Sequence, residues 1–311
     1  MSETKLLTCS DGKTVVYRHW MPKNQNYHAI VHIFHGMAEH SARYERFANY
    51  LNSIGLAVYA QDHRGHGLTA SDDERGWFAD SDGWSRVLED GYELDTLILK
   101  NHPGKDLFLF GHSMGSFQVR ALVAMHPQTY RGVIVSGTSA SKGLLGKVGR
   151  LLAASRAKRF GTHKPDPLLD KMSFGAFAKH FQPLATPFDW LSTDANEVKK
   201  YVDDPFCGFI CSSSFFVDLL DGIELANDAE TMAKLPKDMP MLIISGEQDP
   251  VGDFGKGVKK VYQAYIKAGL SDVTLELISG ARHEILNEKS RDDIHTLIGK
   301  WIETKVSRKN R

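Results

Sequence analysis

The sequence predicts an α/β architecture: a mostly parallel central sheet flanked by helices, with a helical cap inserted past the middle of the chain. Three observations lead there. Short apolar runs rich in β-branched and aromatic residues alternate with helix-length amphipathic stretches, the pattern of parallel strands joined by crossover helices. That alternation breaks once, over about 75 residues from Thr138 to Ser213, which carry helical patches and aromatics but no convincing strand. This is too long for a structureless loop and reads as an insertion. No period of 20 to 50 residues recurs, so repeat arrays are excluded.

The elements follow in order. KLLTCSD (5–11) and KTVVYRHWM (13–21) alternate in polarity and flank Asp11-Gly12, which predicts a half-exposed antiparallel pair joined by a tight turn. AIVHIFHG (29–36), LAVYAQD (56–62), DLFLFGHS (106–113), RGVIVSG (131–137), MLIISGEQD (241–249) and TLELISG (274–280) are apolar on both faces and read as buried central strands. Helices are predicted at 43–55, ending on Gly55 as a C-cap, and at 81–104, 113–127, 211–235 and 256–269. EILNEKSRDDIHTLIGKWIETK (284–305) reads as the closing helix. The core is therefore assigned to residues 1–137 and 214–311, and the cap to 138–213.

Composition narrows the function classes. With 38 basic and 38 acidic residues among 311, the formal net charge is +0, so no overall field attracts nucleic acid or an acidic partner. The first residues lack a secretory apolar run, and no stretch of about eighteen apolar residues occurs. A cytoplasmic, soluble protein is the expectation. Cys9, Cys207 and Cys211 leave an odd thiol and match no zinc spacing, which fits reduced cysteines used as small hydrophobes.

Gly111-His112-Ser113-Met114-Gly115 matches G-x-S-x-G, a pattern too short to carry weight without context. Here a predicted strand precedes it and a predicted helix follows, so Ser113 falls on a sharp strand-to-helix turn. Gly111 and Gly115 there remove Cβ atoms that would collide with neighbouring elements. The helix N-terminus adds free N–H groups and partial positive charge, suited to an oxyanion. A serine nucleophile needs a base, and 14 histidines compete. In an open parallel sheet ligands gather at the carboxyl ends of strands, which selects Asp249 and His283, each just past a late strand. Asp253 is the nearest rival acid. In this reading His283 takes the Ser113 proton and Asp249 orients the imidazole. The oxyanion donors are the backbone N–H groups of Met37, after His35-Gly36, and of Met114. Glu39, His35 and His40 are expected mainly to stabilise the loop that carries Met37.

HGMAEHSARY, DHRGHG, GHSMGS, SGEQDPV and GARHEILNE together resemble the monoacylglycerol lipase and lysophospholipase group of the α/β-hydrolase superfamily. The cap segment LSTDANEVKKYVDDPFC is similar to a segment of that group as well. The resemblance implies an α/β-hydrolase fold, a triad of Ser113, Asp249 and His283, and oxyanion positions at Met37 and Met114. It further implies hydrolysis of a single-chain lipid ester through an acyl-serine, with no cofactor or metal. Monoglyceride hydrolysis is the leading expectation; a lysophospholipase, a general carboxylesterase and a catalytically silent lipid-binding module are the alternatives. DHRGHG is assigned no chemistry. Gly115-Ser116 replaces the group's frequent Gly-Gly, and residues 142–167 match little of it.

Two features of the cap bear on the substrate. KGLLGKVGRLL (142–152) puts Leu144, Leu145, Val148, Leu151 and Leu152 on one arc, and seven basic residues with no acid lie between Ser141 and Pro165. Such a helix either lies on an anionic membrane surface or turns its apolar arc to the core. Between Phe174 and Ile210, a cluster of aromatics either packs the cap or lines an acyl tunnel, where each buried CH₂ contributes about 0.8 kcal/mol.

Overall fold

A computed structural model of the protein describes residues 2–23 and 25–307. The eight expected strands form one sheet: β1 (Glu3–Thr8), β2 (Thr14–Trp20), β3 (Ala29–Phe34), β4 (Leu56–Gln61), β5 (Asp106–His112), β6 (Gly132–Ser136), β7 (Met241–Gly246) and β8 (Val273–Ile278). Their order is β1-β2-β4-β3-β5-β6-β7-β8, with β1 and β2 antiparallel and the rest parallel. Strands β3 to β7 bury every residue except Asp106, as their two-sided apolar sequences require.

Helices cover both faces. Helices α1 (Glu45–Ser53) and α10 (Arg291–Lys305) pack Phe47, Leu51, Ile298 and Ile302 on one side. On the other, α2 (Gly83–Asn101), α3 (Met114–Met125) and α9 (Lys256–Lys267) contribute Leu94, Leu122 and Tyr265. Strand order reverses between β3 and β5, leaving a crevice at their carboxyl ends where side chains from several loops converge.

The structure corrects two expectations and decides a third point that the sequence pattern left open. TLELISG is not a central strand: β8 is the sheet edge, paired only with β7, and its six residues are all half-buried. The closing helix begins at Arg291 rather than at Glu284. Glu284 instead bonds Arg43 and Glu288 bonds Thr193, each outside this segment, and Asp292 and Asp293 supply the acidic first turn that a helix N-terminus favours. The third point concerns the inserted segment.

Between β6 and α7 (Ser213–Asn227) lie α4 (Gly143–Phe160), α5 (Pro167–Ala178) and α6 (Ala195–Asp203), with no strand among the described residues beyond one isolated bridge, Pro165 to Ser212. Short α8 (Ala229–Ala233) follows α7. In α4 only Gly146 and Ala153 are buried, and of the apolar arc only half-buried Leu152 packs against the core. Leu144 and Leu145 are 78% and 77% exposed, and Val148 and Leu151 are exposed too. Around the cap interior, Phe174 and Phe177 pack on Trp190. No helix among the described residues is long and apolar enough to cross a membrane.

Candidate active site

Ser113 sits between β5 and α3 with φ 53° and ψ −116°, a left-handed backbone that costs a non-glycine residue of order 1–3 kcal/mol and persists only where its surroundings enforce it. They do. Ser113 N–H donates to Ser136 O at 2.9 Å, Ser116 Oγ donates to Ser113 O at 2.5 Å, and the flanking glycines admit no side chain. A Cβ on Gly111 would lie 2.3 Å from Gly115 O, and one on Gly115 would lie 2.0 Å from Phe34 O.

His283 and Asp249 meet on the adjacent loops, after β8 and β7. His283 Nδ1 lies 2.9 Å from Asp249 Oδ2, and both side chains are buried. Asp249 is held in turn by Val251 N–H at 2.9 Å and Ser245 Oγ at 3.1 Å. Burial is the largest influence and depresses the imidazole, but the charge and hydrogen bond of Asp249, joined by Glu284 and Glu39, together raise the His283 pKa above 6.5. For Asp249 the signs reverse: burial pushes the carboxyl up, and His283 brings it below its ordinary value. The rival Asp253 is exposed and does not hold His283. Ser113 and His283 line one cavity of about 350 Å³, together with Gly36, Met37 and Glu39. The structure thus brings the three predicted triad positions to one crevice.

The Met37 loop borders Ser113 closely, since a Cβ on Gly36 would come within 3.2 Å of Ser113 Cβ. Glu39 Oε1 accepts from Gly36 N–H at 2.5 Å and from Tyr44 Oη at 2.9 Å. His35 joins its Nδ1 to Gly36 O at 2.7 Å and accepts from His63 N–H at 3.0 Å. Within DHRGHG, Asp62 accepts from Ser41 and Leu68 N–H groups. Glu39 and His35 therefore shape the Met37 loop, as expected, and Asp62 of DHRGHG supports it through Ser41. The Met114 N–H opens α3, where no intrahelical acceptor exists. Met37, Ser113 and Met114 share a second cavity of about 370 Å³, lined mainly by apolar groups such as Phe117, Phe177 and Leu220.

Sequence reasoning missed several neighbours. The His112 ring lies 4.7 Å from that of His283, and burial, then the His283 charge, lowers its pKa to about 4. The Trp190 ring lies 5.1 Å from that of His283. Arg43, four residues after Glu39, joins it to Glu284, a partner 241 residues on that no local spacing reveals. Tyr201, which donates to Ala38 O at 2.9 Å, was reachable through the matching cap segment. Among the described residues one cluster offers a metal-like donor set, His40, Asp204 and Cys207. There His40 Nε2 already bonds Asp204 Oδ2 at 2.9 Å, tying the cap to the Met37 loop.

A reversing parallel sheet with a strained serine after β5 and a histidine–aspartate pair after β8 and β7 defines an α/β-hydrolase. Residues 25–290 match the serine aminopeptidase S33 family, and the chain belongs to it. It is 29% identical over 306 residues to the monoglyceride lipase of Homo sapiens, covering 97% of this chain and 90% of that protein. With the monoacylglycerol lipase of Mycolicibacterium smegmatis it shares 28% over 296 residues, 94% of this chain and 93% of the other. A thermostable carboxyl esterase from Bacillus coagulans, solved with glycerol, superposes with a TM-score of 0.90 at 28% identity over 98% and 99% of the two chains.

Proposed function

We propose that the chain is a carboxylic ester hydrolase acting on monoacylglycerols through an acyl-Ser113 intermediate. One observation carries this reading: the strained Ser113 opens on the same cavity as His283, whose far nitrogen bonds Asp249. His283 Nε2 takes the Ser113 Oγ proton as the oxygen attacks the ester carbon. The tetrahedral oxyanion is received by the Met37 and Met114 N–H groups. Collapse expels the alcohol, which takes the proton back from His283, and water repeats the sequence to release the fatty acid. Because the base acts as neutral imidazole and its pKa stands above 6.5, kcat/KM falls as pH drops through that value.

The two cavities that meet at Ser113 divide the substrate. The mainly apolar one suits an acyl chain. The other is lined by Glu39, Asp170 and Glu284 with Lys171, and Arg43 behind it offsets only part of the two glutamates' charge, so its net negative lining disfavours a phosphate-bearing alcohol while hydrogen-bonding an uncharged one such as glycerol. A lipid panel tests this. Monooleoylglycerol is expected to turn over at least about tenfold faster than lysophosphatidyl lipids of the same chain, since one desolvated like-charge contact costs more than about 1.4 kcal/mol. Preference for the lysolipid would overturn the head-group assignment.

Residues 138–213 are proposed as the cap, and its outward face as a transient membrane contact that reaches the substrate where it resides. Exposed Leu144, Leu145, Val148 and Leu151 lie beside Lys142, Lys147, Lys158 and Arg159, the composition of an interfacial helix. Three unpaired thiols are consistent with a reducing, cytoplasmic setting. Co-sedimentation with anionic vesicles at low salt is expected, weakening at high salt and lost on replacing Leu144 and Leu151 with serine. Indifference to lipid charge, salt and substitution would rule out the contact.

A further inference from the structure

We propose that Arg43 is a positioning residue that locks the Met37 loop to the His283 loop through Glu39 and Glu284, and that the cap seats on this joint. The inference rests on the hydrolase reading above. Arg43 Nη1 donates to Glu39 Oε2 and to Glu284 Oε1, both at 2.6 Å, and Nη2 donates to Glu284 Oε2 at 2.7 Å. These groups are withdrawn from water: the side chains of Arg43, Glu39 and Glu284 are 12%, 4% and 6% exposed. Buried charges of this kind demand satisfied geometry, so the three side chains fix one another's positions.

Each carboxylate stands one residue from a working group. Glu284 follows His283 in the chain. Glu39 holds Gly36 N–H at 2.5 Å, next to the Met37 N–H assigned to the oxyanion. Arg43 therefore sets the distance between oxyanion donor and base without touching substrate atoms. The cap closes over the same joint. The Arg43 guanidinium lies 4.8 Å from the Tyr201 ring centroid, while Tyr201 Oη and Gly208 N–H both donate to Ala38 O, at 2.9 and 3.0 Å. Glu284 N–H donates to Leu191 O at 2.7 Å. The segment that carries Leu191, Tyr201 and Gly208 therefore packs directly on the joint.

The joint also carries charge. One guanidinium against two carboxylates leaves a net negative group beside the imidazole. The groups facing His283 are Asp249 from the β7 loop, Glu39 and Arg43 from the β3 loop, Glu284 from its own loop, and His112 from the end of β5. Asp249 is the strongest of the charges that raise its pKa, and Glu284 and Glu39 add to it. Removing the Glu284 charge should therefore lower the pH at which the base protonates.

The test uses the full chain, a p-nitrophenyl ester, and the variants Arg43→Lys and Glu284→Gln. Lysine keeps the charge but cannot bridge two carboxylates in the guanidinium's planar geometry, so kcat should fall about 10²-fold, the scale of losing one oxyanion donor. KM and the acid limb of kcat/KM should stay near the wild type. Glu284→Gln should lower kcat about tenfold and move the acid limb to lower pH, the sign that a purely structural role would not produce. Wild-type kcat in Arg43→Lys, or an unmoved acid limb in Glu284→Gln, overturns the inference while leaving the hydrolase reading intact. A wild type that neither cleaves the ester nor reacts with a fluorophosphonate overturns both. Should Arg43→Lys not fold, the limb shift in near-isosteric Glu284→Gln decides.

Discussion

Ser113→Ala is expected to cut ester hydrolysis by about 10⁴-fold or more and to abolish labelling by a fluorophosphonate, because no other group can form the acyl intermediate. The companion change Ser113→Gly separates function from stability. At φ 53° and ψ −116° a Cβ is under strain that glycine lacks, so this variant should be equally inactive yet more stable than the wild type by about 1 kcal/mol. Urea unfolding followed by circular dichroism measures the gain. A Ser113→Ala protein retaining more than a few per cent of activity would remove the nucleophile from the mechanism. A Ser113→Gly protein less stable than the wild type would mean that the turn is not strained.

Gly115→Ala should destabilise the protein by about 3 kcal/mol or more and take activity with it. Its Cβ would sit 2.0 Å from Phe34 O, 2.6 Å from Phe34 C and 2.8 Å from His35 O. All three are backbone atoms at the buried end of β3, so no side chain can rotate away, and the segment they would displace leads directly to Met37. Gly104→Ala provides the comparison. Gly104 has φ +79° and no atom within 4 Å of the added Cβ, so only the left-handed penalty of about 1–2 kcal/mol applies. Equal unfolding free energies for the two variants would contradict the tight β3–α3 approach inferred for the elbow.

The candidate site was legible because its signals are local. Apolar runs marked all eight strands, and Gly111, Ser113 and Gly115 lie within five residues between a strand and a helix. Asp249 and His283 could then be chosen by their places after strands, since in a parallel sheet those places share one end. Asp249 was separable from Asp253 only through the first turn after β7, and the bond to His283 agrees.

What stayed hidden depends on which surface covers which. The half-buried edge position of β8 follows from strand order, which periodicity within a strand does not record. The outward turn of the α4 arc has the same origin, because an amphipathic pattern states that one face differs without stating what lies against it. Residues 284–290 look helical in composition, yet their carboxylates are more strongly held by Arg43, Arg282 and Thr193 than a helix would leave them.

By itself the sequence determined the strands, the strand-to-helix turn at Ser113 and the order of the three proposed triad residues, since each is written in the periodicity or turn chemistry of a few neighbouring residues. Only the tertiary structure decided the Arg43 joint, the packing of Trp190 on His283 and the exposure of the cap's apolar arc. Those contacts join segments as far as 241 residues apart, and their strength comes from mutual burial that no single segment contains.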